Sequence, residues 1–441
     1  MRYYNALLLT DIYFIINYNE VKMNKIYTFN NGLKLINNYM PTTRAVAIGV
    51  FAGIGSAYES LQENGLSHFA EHMLFKGTTD KNAYEIAESI DSIGAQINAY
   101  TSKELTSYYT ICVDTHAEYC TKVLADIYQN SLLLEEEIER ESNVVLEEIS
   151  MVEDTPDDLC FQLVSEAYYN DHPLAYPILG TRKRVKSFNH KILKNFIDKY
   201  YNPTNTLISI AGNLTDKQAE QLVRKYFVAS FEREAIMPKK LDKALVIPRY
   251  VHRFKQMEQA NTSIALNGIE LGNKAEVSAL LMNSLLSGGM SSLLFQNIRE
   301  KLGLAYSVYG FPSSYTNNGS YIIYFGTSAE NSVKAIEATK KIIATLLKDG
   351  ISDSDFRKGK EQLKGALVLG QESAASVMNA NGKSLMLRKT PFDIDLKLQK
   401  IDKTTKEEIM NTIEHTFDFD KASVAYVGPE IKHNLLDVLR G

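Results

Sequence analysis

Two histidines and a glutamate within five residues, His68-Phe69-Ala70-Glu71-His72, are the side chains of this sequence best placed to do chemistry. Read as a helix, residues 65–78 set His68 and His72 about 40° apart around the axis, at i and i+4. Glu71 falls about 60° to the other side of His68, so the three polar groups share an arc of roughly 100°. Phe69, Met73 and Phe75 point elsewhere and are free to be buried. Two imidazoles one turn apart are what a tetrahedral zinc ion needs from a helix. A carboxylate beside them, outside the coordination shell, can act as base toward a water on the metal. The order H-x-x-E-H inverts the commoner H-E-x-x-H helix. Against this stands a plain solvated helix face, so a third ligand decides the matter.

The candidate lies in residues 135–149, EEEIERESNVVLEEI. Acidic runs of this kind usually face solvent. Here Ile138, Val145 and Ile149 recur at helical spacing, so the helix has a buried side. Glu141 and Glu148 are two turns apart and stack on one face, whereas Glu147 is turned about 120° from Glu141. Glu148 is therefore the expected ligand, and Glu141 is placed to hydrogen-bond a ligand histidine from behind.

HFAEHMLFKGT, followed 76 residues after His72 by Glu148 within ERESNVVLEEISMVEDTPDD, resembles the inverzincin family of pitrilysin, insulysin and mitochondrial processing peptidase. The likeness is strongest to bacterial processing-peptidase-like members of about this length, and it runs from about Asn24 to the C-terminus. It implies a zinc endopeptidase with His68, His72 and Glu148 on the metal, Glu71 as base and Glu141 in support. It also implies that Asn98-Ala99-Tyr100 is an edge strand on which a substrate peptide is laid as an added strand. Free backbone N–H and C=O groups would bind any extended peptide there. Arg299 and Tyr306 resemble the pair with which the family's second domain reaches the site, able to hydrogen-bond the carbonyl oxygen as its charge develops. Two positions depart from the family's pattern: Ser287 stands for a glycine and Leu293 for an arginine.

The elements that must carry these residues are legible around them. Asn31-Gly32 reads as the turn of a hairpin over 27–38, and 46–51 as a buried strand. Gly53-Ile54-Gly55 lacks the third glycine and the helix of a dinucleotide loop. A second amphipathic helix runs over 83–93, with strands at 94–101 and 106–113. Helical segments continue to about Tyr201, and a closing strand covers 206–211. Pro238, Pro248 and the charges between them mark 233–248 as a linker.

The second half repeats the first in outline. Ile48 matches Ile264 and Gly212 matches Gly428, both at an offset of 216, and Ser107 matches Ser320 at 213. The offset of 216 sets Ser284 opposite His68, so the second half has no metal motif. The expected fold is therefore α+β, with two homologous domains, 23–232 and 249–441. Each is a mainly antiparallel sheet with helices on one face, and the resemblance implies a clamshell around a chamber.

Composition fits this reading. The chain has 441 residues, 45% hydrophobic and 23% charged, with net charge −5, so nucleic acid is not an expected partner. No apolar run reaches the ~18–20 residues of a membrane span, and stable membrane insertion is not expected. Three cysteines without CxxC spacing read as reduced core residues of a cytoplasmic protein. Residues 1–22 are apolar but make a poor signal peptide, and they read as an extension from a misassigned start, with Met23 following. Peptides are the expected substrates, and a homodimer is open. The alternative is an inactive member that binds peptides or a partner subunit; such members lack part of the zinc motif, which is whole here.

Overall fold

Strands form where β-branched, aromatic and small residues run without charge. Ala45–Ala52 (AVAIGVFA) has no charged side chain and is buried along almost its whole length. The computed structural model describes residues 25–441, so the expectation for residues 1–22 lies outside the described residues. The first half carries β1 (Lys25–Thr28), β2 (Lys34–Tyr39), β3 (Ala45–Ala52), β4 (Gln96–Thr101), β5 (Thr106–Val113) and β6 (Thr206–Gly212). They order as β1-β2-β6-β3-β5-β4. The second half carries β7 (Tyr250–Phe254), β8 (Gln259–Asn267), β9 (Ala305–Tyr315), β10 (Asn318–Ser328) and β11 (Ser423–Gly428), ordered β7-β11-β8-β10-β9. Apart from β1 the two orders are the same. In each sheet one pair is parallel, β2 with β6 and β7 with β11, and the rest are antiparallel. Residues 231–249 between the sheets form no helix or strand.

The ladders test the repeat pair by pair. Ile48 faces Thr110, and Ile264 faces Ile323, so 264 − 48 = 216 and 323 − 110 = 213, as the sequence suggests. The closing strand is different. Ile48 also faces Ile210, but Ile264 faces Val424, and 424 − 210 = 214, not 216. A shift of two leaves every side chain on its own face, so the hydrophobic pattern cannot detect it.

The helices of the first half are α1 (Leu66–Met73), α2 (Ala83–Asp91), α3 (Ala117–Asn130), α4 (Glu135–Asp154), α5 (Pro156–Tyr169), α6 (Arg182–Val185), α7 (His190–Tyr200) and α8 (Asp216–Val223). Those of the second half include α9 (Glu276–Ser287), α10 (Ala329–Asp349), α11 (Asp353–Leu369) and α12 (Ala374–Lys383). Each half packs most of its own helices on one face of its sheet, around Val46, Ile48 and Ile210 in one core and Ile264, Ile323 and Val424 in the other. The opposite face is covered by a helix from the other half.

Two local features make this exchange possible, a helix break and a close approach. Pro156 disfavours helix at Thr155, so α4 stops and α5 leaves at a new angle. Leu159, Cys160, Leu163 and Val164 of α5 then pack on Ala265, Ile322, Ala425 and Val427 of the second sheet. In return, Ala374 and Met378 of α12 cover Ile36, Ala47, Phe51, Leu207 and Ala211 of the first. Gly382 lets α12 sit that close, since a Cβ there would meet the Phe51 ring at 2.3 Å.

Candidate active site

The helix that carries the motif is short and needs outside support. Its N-cap is Gly65, which has φ 98° and no side chain to satisfy the first N–H groups. Glu59 supplies the acceptor: its carboxylate takes hydrogen bonds from Gly65 N at 2.8 Å and Ser67 N at 2.6 Å. Burial pushes the Glu59 carboxyl upward, and the donors around it pull the other way. Gly65 lies against Gly180, where a Cβ on Gly65 would meet the Gly180 Cα at 2.9 Å. The loop before α6 therefore sits directly on the start of the motif helix. The helix ends at Met73, earlier than the whole 65–78 stretch, and the chain continues in turns to Gly77 at φ 121°.

On this helix the two imidazole rings stand 4.6 Å apart between centroids, as the i,i+4 spacing requires. α4 crosses behind them with Ile138, Val145 and Ile149 buried, and presents its carboxylates to the rings. Glu148 Oε2 is 3.7 Å from His68 Nε2 and 3.7 Å from His72 Nε2. One donor atom from each of the three lies within 4.8 Å of the others, so they could together hold a metal ion. Glu147, the neighbour that the helix geometry rejects, faces solvent. Glu141 is buried, and its Oε2 accepts from His72 Nδ1 at 2.9 Å. Its second oxygen meets the Lys76 ammonium at 2.6 Å.

The electrostatics favour a divalent cation. Burial and the neighbouring His72 push His68 down to about 3, which keeps its imidazole neutral and its lone pair free. His72 shifts the other way, because Glu141, Glu148 and Glu71 together outweigh the effect of burial. Glu141 is held low: burial opposes this, but the His72 and Lys76 hydrogen bonds win. Glu71, Glu141 and Glu148 set against Lys76 leave two formal negative charges beside two imidazoles. Glu148 Oε2 is buried and has no hydrogen-bond partner, the condition of a ligand atom awaiting a cation. Two imidazole nitrogens and one carboxylate oxygen form a donor set that suits zinc.

Glu71 lines a cavity of about 570 Å³ with His68, Tyr100, Lys103, Asp158 and Phe161. Its Oε2 accepts from the Thr101 hydroxyl. Burial raises the Glu71 carboxyl, and the Thr101 hydrogen bond resists the shift. β4 is the edge strand of its sheet, and Ala99 and Tyr100 line the same cavity. Asn98 is exposed, and the Tyr100 hydroxyl donates to Asn379 on α12 at 2.8 Å.

The structure does not bring Arg299 and Tyr306 to this cavity. They meet each other, with the guanidinium 5.4 Å from the Tyr306 ring centroid. Tyr306, however, is 78% exposed and borders a separate hollow with Gln259, Gly303 and Asn331. Sequence reasoning passed over Glu59, Lys76, Thr101 and Lys103. Lys76 was findable, being one further turn along the His68 and His72 face. Glu59 and Lys103 carry no signal of their own, because they act across loop contacts.

Comparison with known proteins agrees with this geometry. Residues 34–182 match the family model "Insulinase (Peptidase family M16)", and residues 187–363 match "Peptidase M16 inactive domain". A Bacillus subtilis protein named as the uncharacterized zinc protease YmxG is 42% identical over 407 residues, 92% of this chain and 98% of that one. An uncharacterized zinc protease of Rickettsia felis is 35% identical over 410 residues, 92% and 97% of the two chains. Among solved structures, a protease from Helicobacter pylori shares the fold at TM-score 0.86 and 19% identity, covering 92% of this chain and 100% of its own. A peptidase M16 inactive domain from Pseudomonas fluorescens does so at 0.85 and 20%, covering 92% and 98%. With its motif intact in the first half and relatives matched along nearly their whole length, this chain belongs to peptidase family M16.

Proposed function

We propose that the chain is a zinc endopeptidase acting on peptides or small unfolded proteins. The observation that carries this reading is the His68, His72 and Glu148 cluster, with an unpartnered buried carboxylate oxygen and Glu71 in the adjoining cavity. His68, His72 and Glu148 would hold zinc, which when bound polarises a peptide carbonyl and acidifies water from 15.7 toward about 7. Glu71 takes the proton of the attacking water and delivers it to the leaving amine. The Thr101 hydroxyl holds one Glu71 oxygen and leaves the other for this work. Glu141 fixes the tautomer and tilt of His72, with Lys76 balancing its charge. The free edge of β4 over Asn98, Ala99 and Tyr100 receives the substrate backbone beside the cavity.

Arg299 and Tyr306 retain the role of oxyanion donors, but they are supplied by a second copy of the chain. Their exposure and mutual stacking, away from this chain's own cavity, support that assignment. A homodimer would also close the chamber. The test is zinc content measured together with cleavage of an unstructured peptide, with and without chelator, over a dilution series. Zinc bound without cleavage would favour an inactive peptide-binding member. Specific activity that does not change on dilution to monomer would remove the partner from the chemistry.

A further inference from the structure

The turn joining β4 to β5, Ser102-Lys103-Glu104-Leu105, follows Thr101 directly and is held from both halves of the molecule. On the first-half side, Ser56 N donates to Ser102 O at 3.2 Å and Ala57 N to Lys103 O at 2.7 Å. On the other side the grip is Glu104. Glu104 is 3% exposed, and its Oε1 and Oε2 accept from the backbone N–H of Thr316 at 3.0 and 3.2 Å. The Tyr58 hydroxyl adds a hydrogen bond at 3.3 Å. Burial raises the Glu104 carboxyl, against these donors. A buried carboxylate with only neutral donors is a costly way to join two surfaces that apolar side chains would join more cheaply. Its presence calls for a role other than adhesion.

Thr316 is itself fixed. The β9–β10 turn has Asn317 at φ 67°, and Asn317 Nδ2 donates to Leu241 O at 2.9 Å. Asn318 accepts from Ala244 N at 2.7 Å and donates to Asp242 O at 2.9 Å. A rigid hairpin end of the second half thus presents one N–H to a turn of the first half, three residues from the hydroxyl that holds Glu71.

We propose that Glu104 is a positioning residue: the Thr316 N–H, through Glu104, fixes the β4–β5 turn and so keeps the Thr101 hydroxyl on Glu71. The inference rests on the reading of Glu71 as the base. It gives the second half a part in the site within one chain, separate from Arg299 and Tyr306. Glu104→Ala should lower kcat on the order of 10- to 100-fold, the range expected when a group near the chemistry is displaced by about 1 Å. KM and zinc content should stay near wild type. Thr101→Val should do the same, and Thr101→Ser should restore most of the rate.

The discriminating measurement is the double variant. If Glu104 acts through Thr101, then Thr101→Val with Glu104→Ala loses no more kcat than the worse single change. Losses that multiply overturn the proposal. Hydrogen exchange on metal-free protein gives a reading without activity. Amides of residues 98–101 should exchange faster in Glu104→Ala, and unchanged protection there also overturns it. Should Glu104→Ala fail to fold, Glu104→Gln keeps one acceptor and should show the same exchange change in weaker form; protection equal to wild type counts against the clasp. A wild-type protein that binds zinc and cleaves nothing would sink the reading of the site, whereas the exchange data report on the clasp alone.

Discussion

The first and second halves set the same strand order around opposite chemistry. At the offset of 216, His68-Phe69-Ala70-Glu71-His72 stands opposite Ser284-Leu285-Leu286-Ser287-Gly288. Where the first half gathers three carboxylates and two imidazoles, the second makes neutral hydrogen bonds. Ser284 Oγ meets Gly359 O at 3.2 Å and Gln362 Oε1 at 3.1 Å, and Ser287 accepts from Gly310 N. Gly288 has no room for a ring, since a Cβ there would meet Ser284 O at 2.7 Å. The same α-on-β frame accommodates either set. Concentrated charge is therefore not required by the fold, and in the first half it points to a functional site.

The comparison can be broken most severely at Glu148. Glu148→Gln should bring zinc content to background and abolish cleavage, while Glu147→Gln should change neither, because, of these two neighbours, Glu148 faces the histidines and Glu147 faces solvent. Equal zinc loss at both positions would mean that α4 is turned differently in solution. Next comes Glu71→Gln, which keeps the space filled and the zinc bound but cannot accept a proton. Cleavage should fall by about 10²–10⁴, and a wild-type rate with full zinc would refute the base assignment. Glu141→Gln should weaken zinc affinity by about 10–100-fold, measured by competition with a chromophoric chelator; unchanged affinity would reduce Glu141 to packing.

Lys103 sharpens the contrast through pH. Burial, opposed by Glu59 and Glu166, lowers its ammonium from 10.5 to about 8. Between those values the unfolded chain binds the extra proton, so stability credited to this group rises with pH across the window and is lost as pH falls through about 8. The Tm of Lys103→Met relative to wild type should therefore drop between pH 7 and 10, on the order of a few °C. A flat difference would mean that the lysine is solvated. The smallest effect belongs to the second half: Ser284→Ala should cost about 1 kcal/mol of stability and leave zinc content untouched. Loss of zinc there would show that the halves are not as separable as their chemistry suggests.

Sequence alone aligned the candidate ligands within each helix, because helical periodicity is local: one turn places His72 over His68, and two turns place Glu148 over Glu141. That α4 lies against α1, so that the three could hold a metal ion, is a tertiary fact that only the family resemblance implied. Alternation is local in the same way and marked most strands of the first half and parts of β8, β10 and β11, but it left β7 and most of β9 unmarked. It could not separate 216 from 214 for β11, since a two-residue slip preserves every inside and outside position. Nor could it place Arg299 and Tyr306, whose position relative to the cavity depends on how the two sheets pack. Tertiary structure alone decided the exchange of α5 and α12 between the halves. An apolar helix face such as that of Leu159, Leu163 and Met378 records that it is covered, but not by which sheet. The Glu104–Thr316 contact is of the same kind, since a backbone N–H leaves no trace in the sequence and its acceptor lies 212 residues away.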